Sequence, residues 1–423
     1  MTKILYFFVT FALVKQKANN MFRQIVTFLH RLSNAHRCCT LVLTVLLCNS
    51  LRADIPVIAF YGVPPAYSTV ERFQEFKDAG FDISLFNYES LPVDSLVSIL
   101  DKADKAHVRI LMFSHQLLAK PQQVIPRIRK HPALYGYMLG DEPKPADFKN
   151  LQHMLRTVRQ WDKVKPCYVN LLPDYGEGSR KELGISSYKS YLKQASTALD
   201  LPIISFDHYP IIGTAIRDTW YSNLEDIRRE SLRTGKPFWA FVLCTPHADY
   251  PQPDMGMLRL QIYSNLAYGA QAIQYFTYWT PASYDIYDFH NAPISFDGKR
   301  TKTYNLVKQM NQELHRILPL FDGAVNFSVS HLLDIPQGTA KASQRPKNIR
   351  KLKIKGAKGC IVSTFSNNGH LYLAIVNKDY RNKLALEIKA SKQVVMLDKK
   401  LQEHTVAPSY HIAGGDMMTF RLQ

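Results

Sequence analysis

Cysteine is scarce: six in 423 residues, and only Cys167, Cys244 and Cys360 lie beyond the first 53. Three thiols close at most one bridge, so a disulfide framework is excluded. A glycine-rich phosphate loop and a Gly-x-Ser-x-Gly elbow are both missing, which argues against nucleotide-binding and nucleophile-elbow chemistry. His247 with Asp249, and Asp285 with Asp288 and His290, match no metal-ligand spacing. No metal and no cofactor is therefore expected, and those acids read better as the lining of a long substrate loop. No internal repeat of fixed period is evident.

Acid is absent from residues 1–53, which carry seven Lys or Arg. Their two apolar runs, Ile4 to Val14 and Cys38 to Cys48, fall short of the roughly 20 residues a spanning helix needs. A basic start, a short apolar run and a polar end at Asn49–Ala53 fit an export signal, with Met21 as an alternative start. The protein is thus expected to be exported, to the periplasm, the outer membrane or the medium. Leu46-Leu47-Cys48 is a loose lipoprotein box, so Cys48 is either a lipid anchor for peripheral membrane association or one more apolar residue of the signal. Without this segment the formal net charge drops from +18 to +11. Much of the remainder sits in Lys341 to Lys358, with eight basic residues and no acid. Such a run reads as a polyanion-binding arm or as a solvated linker beside a β-domain. No nucleic-acid motif accompanies it.

What the chain does have is apolar and aromatic residues, 46% and 12% of the total. Past Ala53, short runs apolar on both faces alternate with amphipathic stretches. The runs are Pro56–Tyr61, Phe81–Asn87, Val108–Ser114, Leu134–Gly140, Pro166–Leu172, Pro202–Asp207, Pro237–Leu243 and Ala272–Trp279. Buried parallel strands have this pattern. Between them, Phe148, Leu151, Leu155 and Val158 recur at helical spacing, and Ile216–Thr234 and Tyr304–Leu318 behave likewise. Eight strand-helix units predict a (β/α)8 barrel over residues 54–320. From about Phe321 the pattern changes to strands at Cys360–Phe365, Leu371–Asn377, Ala385–Ile388 and Met417–Leu422. Asn367-Asn368-Gly369 is a strong hairpin signal. Residues 321–423 are expected to form a small all-β sandwich.

Barrel chemistry gathers at the C-terminal ends of the strands. There the chain places Tyr61, Asn87, His115, Asp141 with Glu142, Asn170, Asp207-His208-Tyr209, Cys244, and Tyr278-Trp279. Rings that stack on sugar faces, beside groups that bond hydroxyls, suit a carbohydrate of oligo- or polysaccharide size. Glu142, beside Tyr137 and apolar strand ends, is the candidate general acid, and Pro143 should hold it extended. Alternatively Asp141 or Glu142 caps a helix starting near Pro145. Asp207 is the provisional second carboxylate, with Asp141 as a fallback; equally, Asp207 bonds a neighbouring strand end or holds His208. Tyr61, Asn87, His115, Asn170, His208, Tyr209, Tyr278 and Trp279 are candidate substrate contacts.

These residues resemble the barrel of clan A glycoside hydrolases, particularly family 42 β-galactosidases, over roughly residues 55–320. The resemblance implies a glycosidase with its acid at the end of strand four, where Glu142 follows Asp141. His115 matches a histidine near strand three, Tyr209 the tyrosine of strand six and Trp279 the tryptophan of strand eight. Two positions depart. Leu85-Phe86-Asn87-Tyr88 has no counterpart to the strand-two arginine, and Phe241-Val242-Leu243-Cys244-Thr245 offers no nucleophilic carboxylate on strand seven. Such a departure would also fit a degenerate barrel that binds glycans without cleaving them.

Overall fold

The computed structural model describes residues 55–423; the expected export signal and Cys48 lie outside the described residues. Eight parallel strands close into a barrel: Val57–Phe60, Ile83–Asn87, Arg109–Phe113, Leu134–Asp141, Cys167–Leu171, Ile204–Phe206, Phe238–Leu243 and Ile273–Phe276. A helix follows each strand, from Val70–Asp78 after the first to Lys302–Ile317 after the eighth. Each observed strand lies within the run that predicts it or within a residue of its end.

The strands are apolar on both faces because both are buried. On the seventh, Trp239 faces the barrel interior, Phe241 and Leu243 line its mouth, and Ala240, Val242 and Cys244 pack outward under the helices. The interior is filled at its lower level by Ile58, Ile83, Leu85, Leu111, Met138 and Tyr168. It is a packed core and not a pore.

Two antiparallel sheets follow, one of six strands and one of three. Val362, Leu373, Ile375, Leu386, Ile388 and Phe420 fill the space between them. The hairpin signal holds: Asn367 pairs with His370, and Asn368 and Gly369 take φ of 48° and 81°, as a two-residue primed turn requires. The larger sheet packs on helix Met255–Tyr268, which is buried nearly all round for that reason. There the Ser363 hydroxyl donates to the Ala267 carbonyl at 2.7 Å. Approach is close enough that a Cβ on Gly256 would stand 2.1 Å from the Tyr380 carbonyl oxygen. The linker reading of Lys341–Lys358 is corrected: its core is a strand, Ile349–Lys355, at the edge of the three-stranded sheet.

Candidate active site

The barrel mouth gathers three carboxyl groups. Asp141 ends the fourth strand in register with Asn170 of the fifth, and the Glu142 amide continues the ladder to the Asn170 carbonyl at 2.8 Å. A register shift between Met138 and Gly140 interrupts that ladder. Strict alternation from inward-facing Met138 would turn Asp141 toward the helices; the bulge re-aims the strand end. Glu142 then adopts φ of 46°, so the expectation that Pro143 keeps it extended is corrected. Its backbone is fixed from both sides, by the bond to Asn170 and by the Tyr191 hydroxyl donating to the Pro143 carbonyl at 2.8 Å. A left-handed glutamate is strained, of the kind that collects at functional sites. Helix capping by either acid is also corrected, because the turn Pro145–Asp147 starts from Lys144, whose own amide bonds Asp147 at 2.8 Å.

Asp207, buried at the end of the sixth strand, accepts a hydrogen bond from the Asn170 amide at 2.7 Å. Asn170 also bonds Asp141. The amide cannot flip, since Ser205 donates to its carbonyl oxygen at 2.9 Å. Ser205 is tied in turn to Tyr168 at 2.8 Å and to Gln274 at 2.9 Å. Asn170 is thus a positioning residue between two carboxylates. The Glu142 carboxyl is in hydrogen-bonding contact with Asp207.

The electrostatics follow from crowding. The tips of Asp141 and Glu142 reach solvent, yet protein atoms surround them on most sides. Burial, and then the Asp141 charge, push the Glu142 carboxyl up to about 7, against the stabilising bond to Asp207. Burial together with the Glu142 and Asp141 charges holds Asp207 well above the usual carboxylate range, although Asn170 and Tyr209 bond its charged form. Asp141 is raised by burial too. The group therefore keeps a proton near neutral pH.

Around it stands an aromatic wall. Phe276 is its hub, with ring centroids 6.0 Å from Phe60, 6.3 Å from Tyr61, 5.5 Å from Tyr209, 5.7 Å from His247 and 5.9 Å from Phe289. Both Asp141 and Tyr284 lie within electrostatic reach of Tyr61, which brings the strand-eight loop to the same rim. Asp288 of that loop accepts from the Ala248 amide at 2.7 Å, joining it to the loop after strand seven. Arg217 lies over Tyr175 at 4.5 Å and donates to the Tyr250 hydroxyl at 3.2 Å. Arg217 also lines an adjoining groove of about 670 Å³ between the strand-six loop and the β-domain.

The remaining candidates divide. Tyr61 and Tyr209 belong to the mouth. His115 opens the short helix His115–Ala119, exposed and edge-on to Phe113. Asn87 accepts from the Glu89 amide at 2.8 Å and shapes its own turn. His208 is buried beside Thr219 and Tyr175, not held by Asp207, and burial with the Arg217 charge lowers its pKa to about 3. Tyr278 and Trp279 are corrections. Tyr278 packs outward on Phe76 and Phe81. Trp279 is buried against Tyr67 and beneath Arg72, its indole donating to the Phe296 carbonyl at 3.3 Å. Within the strand Gln274 and Phe276 face inward while Ile273 and Tyr275 pack under the helices; continued alternation would turn Tyr278 inward, but the strand ends at Phe276 and the chain turns away beyond it. Phe276 was legible from that alternation. Tyr250, Tyr284, Tyr287 and Phe289 sit in loops, where no period marks them.

At the end of strand seven the mouth is lined by Phe241 and Leu243. Cys244 points away, fully buried, its thiol donating to the Thr277 carbonyl at 3.1 Å. Burial pushes that thiol up to about 12.

Residues 183–317 match the family model described as beta-galactosidase of glycoside hydrolase family 42. The β-galactosidases BgaB of a Geobacillus species and of Geobacillus kaustophilus are each 28% identical over 158 residues, 36% of this chain. That match spans 23% of their length. The family-model match includes Asp207 but not Glu142. Among solved structures, a GH42 β-galactosidase of G. stearothermophilus superposes with a TM-score of 0.58 at 10% identity, over 87% of this chain and 98% of that one. The β-galactosidase of Bacillus circulans gives 0.57 at 11%, over 88% and 99%. Those likenesses carry the fold: a barrel with an appended sandwich, similar to clan A glycoside hydrolases.

Proposed function

We propose that the protein is an exported carbohydrate-active enzyme that hydrolyses a glycosidic bond. The observation that carries this reading is the contact between Glu142 and Asp207, with the Glu142 proton retained up to about 7. A leaving alkoxide needs a proton in the transition state, and a carboxyl whose pKa is near the working pH donates it well. Glu142 is the donor. Asp207, once parted from it, takes a proton from the attacking water, whose oxygen bonds the anomeric carbon as the leaving oxygen departs with the Glu142 proton. Asp141 raises the pKa of both. Substrate entering between them would have to part the two carboxyls before either could act on opposite sides of a sugar ring. The aromatic wall around Phe276 supplies stacking surface for the ring, and the similarity to family 42 β-galactosidases makes β-galactosides the first substrates to try. Export rests on the basic and then apolar residues 1–53.

One observation favours a second reading. Phe241 and Leu243 give the strand-seven side of the mouth an apolar wall and no carboxylate, which suits a barrel that binds glycans without cleaving them. A panel of glycosides and oligosaccharides, run with the parent protein and with Glu142→Gln and Asp207→Asn, separates the two. Turnover abolished by either substitution supports the hydrolase. Binding without turnover across the panel supports the lectin-like reading, and turnover indifferent to Glu142→Gln removes Glu142 as the acid.

A further inference from the structure

The outer face of the three-stranded sheet carries a charge pattern that the barrel chemistry does not use. On its edge strand Ile349–Lys355, Leu352 and Ile354 pack toward the space between the sheets, and Lys351, Lys353 and Lys355 point outward, all exposed. The central strand, Leu384–Ala390, buries Leu384, Leu386 and Ile388 and turns Ala385, Glu387 and Lys389 outward. Register sets Lys351 opposite Lys389, Lys353 opposite Glu387 and Lys355 opposite Ala385; on the third strand His411 lies opposite Ala385. Glu387 is the face's one acid among these positions, and it pairs with Lys351 at 2.7 Å. Lys353, Lys355 and Lys389 form no ion pair among the described residues, and the Lys353 and Lys355 charges bear on Glu387 as well.

Lysine on an edge strand has an ordinary use, which is to discourage edge-to-edge pairing. That use needs charge on the edge strand only. Here the charge continues onto the central strand, where Lys389 faces Lys351 directly, a like-charged cross-strand pair that works against the sheet. Alternate residues along a strand stand about 6.6–6.8 Å apart, and neighbouring strands about 4.8 Å apart. The face therefore presents a grid of cations, and none of these outward positions carries a Phe, Tyr or Trp ring on which a nucleobase would stack.

We propose that this face binds an acidic polysaccharide, one whose repeating units carry carboxylate or sulfate groups. The recognition is charge complementarity between a row of lysines and a linear polyanion, and its affinity falls with salt as counterions are released. Choosing a glycan over other polyanions rests on the glycosidase reading; the binding itself does not depend on turnover.

The test is binding of the full chain to polygalacturonate and to heparin as probes, with a neutral glucan as control, comparing the parent with Lys351→Gln/Lys353→Gln/Lys355→Gln. All three positions are exposed, and an unchanged melting temperature checks that the variant folds. The expected result is parent binding to at least one acidic polymer and not to the glucan. In the variant, binding should weaken by tenfold or more, with a shallower slope of log K against log salt. Hydrolysis of a small glycoside should be the same in both. Equal binding of parent and variant, equal binding to the neutral glucan, or lysine-dependent binding to phosphatidylglycerol vesicles but to neither polymer would overturn the proposal. Lysine-dependent binding in a protein that cleaves nothing would leave this inference standing and remove the glycosidase reading instead.

Discussion

The Asn170 side chain donates to Asp207 at 2.7 Å while its own carbonyl oxygen is held by Ser205 at 2.9 Å. The amide is thereby locked with its N–H groups toward the carboxyls, and a chain of polar contacts from Gln274 on strand eight fixes the orientation of Asp207 on strand six. Asn170→Ala should leave a buried carboxylate short of a donor, at a cost of about 1–3 kcal/mol. Since that donor favours the charged form of Asp207, its loss should raise the Asp207 pKa further. The acid limb of the kcat/KM profile should then move to higher pH, which a purely structural role would not produce. An unmoved limb would show that Asn170 only packs.

Glu142 predicts a pH dependence with a definite sign. Its pKa is near 7 in the folded protein, against 4.5 for the unperturbed group. A general acid must be protonated, so kcat/KM should fall as pH rises through about 7. The same shift means the folded state binds the proton more tightly than the unfolded one. Its contribution to stability is therefore full below 4.5 and is lost as pH rises through about 7. Glu142→Gln should lower kcat by about 10²–10⁴-fold, abolish the alkaline limb and leave stability at pH 8 equal or slightly higher. Because the side chain is solvent-accessible, that gain should not exceed about 1 kcal/mol. A variant that keeps the parent limb would assign the titration to another group.

Much of this arrangement is legible in the amino-acid sequence. Eight runs apolar on both faces can only be strands covered on both sides, and those runs contain the barrel. Strand ends place Asp141, Glu142, Asn170 and Asp207 on one rim because parallel strands deliver their C-termini to the same end. What escaped depends on departures from periodicity. The bulge before Gly140 and the left-handed Glu142 set the aim of two acids, and neither leaves a mark in composition. Trp279 looked like a rim residue by position and is instead buried in the outer layer, because the chain has left the strand after Phe276 and turned to bridge Ile294. The strand at Ile349–Lys355 is half polar, with its apolar residues spent on a thin sandwich core, so charge masked it as linker; Ser409–Ile412 is too short and half polar to mark itself as a strand.

Cys244 stands where similarity would put a nucleophile, and its surroundings make it inert. The thiol is fully buried, bonded to the Thr277 carbonyl and held up to about 12 by burial. Almost no thiolate exists at neutral pH. Cys244→Ala should keep activity within about threefold of the parent and cost about 1–2 kcal/mol in a denaturant titration, from the lost packing and hydrogen bond. Iodoacetamide should label this residue only after unfolding. Labelling of the folded protein that stops turnover would put the thiol into the mechanism.

The β-domain is held to the barrel by an ionic cluster whose pH response runs opposite to that of Glu142. Glu313, on the last barrel helix, bonds Arg259 at 2.6 Å and the Tyr263 hydroxyl, and pairs with Lys399 of the β-domain at 3.2 Å. Lys399 reaches on to Asp416 at 2.5 Å. Burial by itself would raise the Glu313 pKa, but the Arg259 hydrogen bond, the Lys399 charge and the Tyr263 hydroxyl outweigh it and bring it to about 2. Its folded value is thus below its unfolded 4.5. The stabilisation is complete above 4.5 and is lost as pH falls through about 2. Glu313→Gln leaves Arg259 and Lys399 with Asp416 as their remaining counter-charge, at 3.9 and 2.5 Å, and should cost about 1.5–3 kcal/mol at neutral pH. The difference from the parent should shrink steadily in melts recorded from pH 5 down to pH 2. A difference independent of pH over that range would mean that Glu313 acts through packing, and that its charge does not tie the β-domain to the barrel.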